Sequence, residues 1–154
     1  MDLYTELEVF RVAVLVGVYS KEDLIKYLDQ LIDELDDVPY EIIEASMGKK
    51  TDDILMIIKD FIYTYKVDES VVLGSLIKLI EKMYKEKSIT IFEGIYYLDN
   101  LKEYVKLDEY DMEFIMYLSD GYYLATEGIY GEINKIEIDF NIFMSHLVYM
   151  YSGQ

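Results

Sequence analysis

Apolar residues recur every three to four positions along most of the chain, and sustained apolar/polar alternation is rare. That is the signature of amphipathic helices rather than strands. Leu3, Leu7, Phe10 and Val14 form the first stripe, on a helix expected from about Asp2 to Val16. The run VAVLVGVY at the end of this segment also reads as a buried strand, and Gly17 breaks the pattern. Ser20 with Asp23 three residues on resembles a capping box. It opens a second helix expected to bury Leu24, Leu28, Leu31, Ile32 and Leu35. Pro39 starts a short third helix, and Gly48 stops it in a C-terminal capping position. Thr51 is expected to cap a fourth, with Asp52 and Asp53 at its positive end and Ile54, Ile57, Ile58, Phe61 and Ile62 on its apolar face.

Asp68 is expected to cap a fifth helix, about Glu69 to Lys87, whose closing lysines Lys82, Lys85 and Lys87 suit the negative end of the dipole. Thr90 and Glu93 make a full capping box for a sixth, about Ile91 to Val105. A seventh is expected from about Glu109 to Leu118 and a last from about Glu132 to Tyr151, separated by the glycine-rich loop DGYYLATEGIYGE, residues 120–132. The fold class is all-α: a compact array of about seven to eight helices in one domain, residues 1–154.

Shifting the chain against itself by 70 positions lays YSKEDLIKYLDQL (19–31) over ITIFEGIYYLDNL (89–101). Ser20 then meets Thr90, Asp23 meets Glu93, and Tyr27-Leu28-Asp29 meets Tyr97-Leu98-Asp99. The match suggests an internal duplication and stacked helical hairpins. Chance resemblance between any two capped amphipathic helices is the competing explanation.

Composition adds charge. The chain has 31 acidic and 14 basic side chains, a net charge of −17, and 53% hydrophobic residues. The apolar content is ample for a core, which argues against disorder. The charge disfavours nucleic acid and anionic membranes and attracts cationic partners. An AT-rich genome would inflate asparagine along with isoleucine, tyrosine and lysine, yet asparagine occurs only at Asn100, Asn134 and Asn141. Acidity therefore looks selected. The N-terminal sequence MDLYTELEVF lacks the basic start of a signal peptide, and a cytoplasmic protein is expected, as monomer or weak homodimer.

Chemistry for catalysis is scarce. Cysteine is absent, no GxSxG elbow, P-loop or GxGxxG turn occurs, and His146 is the only histidine, on an apolar helix. Carboxylates are numerous, but nothing in their spacing selects a glycosidase-type pair, an EF-hand or a helical di-metal site. Neither enzymatic activity, nor a metal, nor a cofactor is expected.

Two features point instead to a protein partner. DQLIDELDDVPYE (29–41) places Asp29, Asp33 and Asp37 at i, i+4 and i+8, with Asp36 beside them and no basic residue. Like charges so placed destabilise an isolated helix slightly, so the run is either a solvated face or a contact surface. Tyrosine is abundant, at 17 residues with no tryptophan. Tyr122, Tyr123 and Tyr130 lie in the expected loop with Glu127, where rigid rings among acids make a good contact surface. Packing beneath the loop is the alternative.

The stretch FRVAVLVGVYSKEDLIKYLDQLIDELDDVPYEIIEASM, about a quarter of the chain, resembles small acidic helical immunity proteins encoded beside bacterial polymorphic toxins, including LXG-type toxins. The resemblance lies in the order helix, G-x-Y-S turn, D-L-I-x-Y-L-D-x-L-I helix, proline-started short helix. It implies an antitoxin that covers a cognate basic toxin, such as a nuclease. An adaptor or scaffold that binds a partner peptide or helix is the other function expected of such a chain.

Overall fold

A computed structural model describes residues 1–151. Among them are eight α-helices and no strand: α1 Leu3–Val16, α2 Lys21–Glu34, α3 Tyr40–Ser46, α4 Thr51–Ile62, α5 Glu69–Lys85, α6 Ile91–Leu101, α7 Glu109–Thr126 and α8 Ile133–Tyr151. The all-α expectation holds, and VAVLVGVY contributes to helix rather than strand. Thr5, Leu7, Val9, Val12, Ala13 and Val16 are all buried. A helix apolar around so much of its circumference loses the one-sided pattern that separates it from a buried strand.

Contacts gather into two compact units, Met1–Asp68 and the residues from Glu69 onward. In the first, each helix touches the next and α4 returns to α1. Its core joins Leu7 of α1 to Leu24, Leu28 and Leu31 of α2, Ile42 and Ala45 of α3, and Ile54, Ile58 and Ile62 of α4. Phe10 stacks on Tyr27 with centroids 3.7 Å apart, and the Tyr27 hydroxyl donates to Glu6 Oε1 at 2.6 Å. Burial first, then that carboxylate, pushes the Tyr27 phenol well above its ordinary range.

The second unit repeats the same neighbour order, α5 to α6 to α7 to α8 and back to α5, and adds a diagonal contact of α6 on α8. Gly94 makes the diagonal possible, because a Cβ there would sit 2.8 Å from Cζ of the fully buried Phe140. Leu24 stands at the matching place in α2. Both capping boxes form, Ser20 with Asp23 and Thr90 with Glu93, so α2 and α6 begin in the same register. The later helices differ: α3 and α4 have 7 and 12 residues, α7 and α8 have 18 and 19.

Besides α6, which ends at Leu101 rather than near Val105, local readings need four corrections. The helix α7 does not stop at Leu118 but runs to Thr126, so half of the expected loop is helical and carries Tyr122 and Tyr123. Gly121, expected in that loop, is instead a close-approach point within α7, where a Cβ would meet Ile136 of α8 at 2.6 Å. Second, α2 ends at Glu34 and Leu35 is extended, so Asp36 and Asp37 lie in the connection to α3. Third, Thr51 is the first helical residue of α4, and Lys50 occupies the cap position without a side-chain bond. Finally, Gly48 is not left-handed; it is small because a Cβ would run into the Ile54 side chain.

A buried carboxylate joins α7 to α8. Asp111, in the first turn of α7, is fully buried. Its Oδ1 lies 3.0 Å from His146 Nε2, and its Oδ2 accepts from the Tyr151 hydroxyl at 2.7 Å. His146 also stacks on Phe143 and meets Tyr110 edge-on. The lone histidine is thus a bridge between helices. Desolvation and the Asp111 carboxylate push the Tyr151 phenol up to about 12. Replacing Tyr151 by Phe keeps the ring and leaves Oδ2 buried without a donor. The expected loss is about 1–3 kcal/mol of unfolding free energy, read by urea denaturation.

Candidate functional site

The second unit holds a groove of about 490 Å³ between α6 and α7. Phe92, Ile95, Tyr96 and Asp99 form its α6 wall; Ser119, Asp120, Tyr122, Tyr123, Thr126 and Glu127 form the other. Helical spacing produces this arrangement. Phe92, Tyr96 and Asp99 stand at i, i+4 and i+7 on α6 and therefore share a face. On α7, Ser119, Tyr122, Tyr123 and Thr126 do the same. Phe92 lies 5.8 Å from the Tyr122 ring and 6.3 Å from Tyr96, so the rings form a continuous lining.

Phe92, Tyr96 and Tyr123 are each more than half exposed. Three such rings converging on one concavity depart from the scattered surface apolar residues of an ordinary monomer. The groove has three carboxylates and no basic lining residue. Lys102 pairs with Asp99 at 2.8 Å, while Asp120 and Glu127 face solvent.

Of the residues expected from sequence, Tyr122, Tyr123 and Glu127 meet here. Tyr130 does not. It lines a second groove of about 650 Å³ between α7 and α8, with Tyr117, Asp120, Leu124, Lys135 and Ile136. Gly128 and Gly131, at φ +70° and +78°, let the chain turn back there between the two helices. Asp29 and Asp33 are exposed on one face of α2, and Asp36 and Asp37 are exposed in the following connection. None of these four is joined to a basic side chain among the described residues. A smaller acidic groove, about 400 Å³, lies in the same unit, lined by Glu41, Glu44, Asp60, Phe61 and Tyr65 among others.

Sequence reasoning missed Phe92, Tyr96 and Asp99 as lining residues. Their signal was the aromatic pair at i, i+4 on the face of α6 opposite buried Gly94, Leu98 and Leu101. Among the described residues no group of three histidine, cysteine, aspartate or glutamate side chains is placed to hold a metal, and no helix is long and apolar enough to cross a membrane.

Beside the second groove, Asp139 is nearly buried and accepts from Lys135 Nζ at 2.7 Å and from the Tyr117 hydroxyl at 2.6 Å. Lys135 first and Tyr117 second hold its carboxyl below the usual range. A carboxylate with a depressed folded pKa stabilises above its unfolded pKa, and that contribution fades as pH falls through the folded value. Stability should decline on acidification below about pH 4, and Asp139→Asn should flatten that decline, measured by denaturant titration at several pH values. No family model, curated protein or solved structure matches the chain.

Proposed function

We propose that this chain is an immunity protein or antitoxin that binds and occludes a cationic protein, such as a nuclease toxin. The observation that carries the proposal is the α6/α7 groove, where exposed rings and carboxylates converge without a basic lining residue. Rings supply rigid contact area that loses little entropy on binding. The carboxylates supply the negative charge that a basic, phosphate-binding active site attracts. Asp29, Asp33, Asp36 and Asp37 add an exposed negative edge, and the net charge of −17 extends the attraction beyond contact distance. The N-terminal resemblance to immunity proteins points the same way.

An adaptor role has one observation of its own. Ile138, Ile142 and Tyr149 form an exposed stripe along α8, at i, i+4 and i+11, as a surface that receives a partner helix would.

Co-expression with the toxin-like product of an adjoining reading frame should restore growth. Purified, the pair should associate quickly, with kon falling roughly tenfold or more between low and high salt. Changing Asp29, Asp33, Asp36 and Asp37 together to Asn should lower kon and leave koff nearly unchanged, because exposed edge charges steer encounter more than they hold the complex. Association indifferent to ionic strength would sink the electrostatic account. Binding lost on Ile142→Asp but kept in the Asn variant would favour the adaptor.

A further inference from the structure

The two units supply an internal comparison for the groove. Ser20 and Thr90 cap α2 and α6 in the same way, so positions counted from those caps are equivalent. The second and sixth residues of α6 are Phe92 and Tyr96; those of α2 are Glu22 and Lys26. Both pairs are exposed, so neither is needed for the core. The ninth residue is aspartate in both, Asp99 and Asp29. The first unit therefore forms the same helix without rings at these places. Folding does not demand them, and their exposure on a concave wall is left to binding.

Building on the partner-binding role above, we propose that the α6/α7 groove receives an arginine side chain presented by a segment of the cationic partner. Charge complementarity selects a cation: Asp120 and Glu127 are exposed and Asp99 is the only lining carboxylate paired with a lysine. The rings select the kind of cation. A guanidinium is flat and weakly hydrated, stacks on aromatic faces, and directs its N–H groups in plane toward a carboxylate. An ammonium is a compact, strongly hydrated charge that gives up more on leaving water. Phe92, Tyr96, Tyr122 and Tyr123 offer the faces, and Asp120 and Glu127 accept the N–H groups at the rim. The groove volume, about 490 Å³, falls within the common range of ~300–1,000 Å³ for ligand clefts. The neighbouring α7/α8 groove is a poorer receptor, since Lys135 stands in its wall.

The test needs no toxin. The full chain, labelled with ¹⁵N, is titrated by NMR with the capped tripeptide Gly-Arg-Gly and its lysine and citrulline counterparts. The arginine peptide should give saturable shifts concentrated at the amides of Phe92, Tyr96, Ser119, Tyr123 and Glu127. The lysine peptide should bind several-fold more weakly, and citrulline, which keeps the shape and loses the charge, should show no saturation. Tyr96→Ala, Tyr123→Ala and Glu127→Gln alter exposed side chains, so thermal melts should be little changed while arginine binding weakens by about three- to tenfold. Shifts spread evenly over acidic residues of both units, or an equal response to lysine or citrulline, would overturn the proposal. Growth rescue reports separately on the antitoxin role: rescue without arginine binding removes the groove's ligand and leaves that role, while arginine binding without rescue does the reverse.

Discussion

A carboxylate with no solvent exposure must be satisfied from within, and Asp111 sets that condition for the second unit. It sits in the first turn of α7, and its partners His146 and Tyr151 come from the far end of α8. Two long helices are thereby fixed in antiparallel register at one end. Near the opposite end of α7, Gly121 brings α8 close through Ile136. Between these constraints α7 has little freedom to slide along α8 or to turn about its own axis. Which residues it presents toward α6 follows, and the groove wall of Tyr122, Tyr123 and Glu127 depends on it. The protein's own polar side chains provide this: no buried side-chain nitrogen or oxygen among the described residues lacks a partner.

Much of the helical layout was legible in the sequence because capping is local. Ser20 with Asp23 and Thr90 with Glu93 each fix a helix start through two reciprocal bonds, with no help from distant chain. Boundaries set by tertiary packing were not legible. Gly121 counted toward a glycine-rich loop because a glycine lowers helix propensity, yet its place is decided by Ile136, a residue of the next helix. Gly48 and Gly94 show the same thing against Ile54 and Phe140. The end of α2 was overestimated because Leu35 continues the apolar spacing although its backbone is extended.

The candidate site was half visible. Tyr122, Tyr123 and Glu127 stood out as rings and an acid close together, and the structure does bring them together, on and just after a helix rather than in a loop. Tyr130 looked like their companion but sits between the left-handed glycines Gly128 and Gly131, in the turn that carries it to the other groove. Phe92 and Tyr96 were hidden for a different reason. In a chain with 17 tyrosines, an aromatic pair at helical spacing looks like core, and only exposure separates lining from packing.

The shared register of α2 and α6 has a consequence for how such a protein changes over generations. In α6 the capping box fixes where the helix starts, and Gly94, Ile95, Leu98 and Leu101 fix which side is buried. Positions 92 and 96 belong to neither set. A substitution at either changes the lining of the groove while the helix keeps its start and its buried face, and Glu22 and Lys26 show that a helix of this kind tolerates other residues there. Under the proposed partner-binding role, preference would therefore drift on an unchanged frame and so follow a target whose own surface is changing.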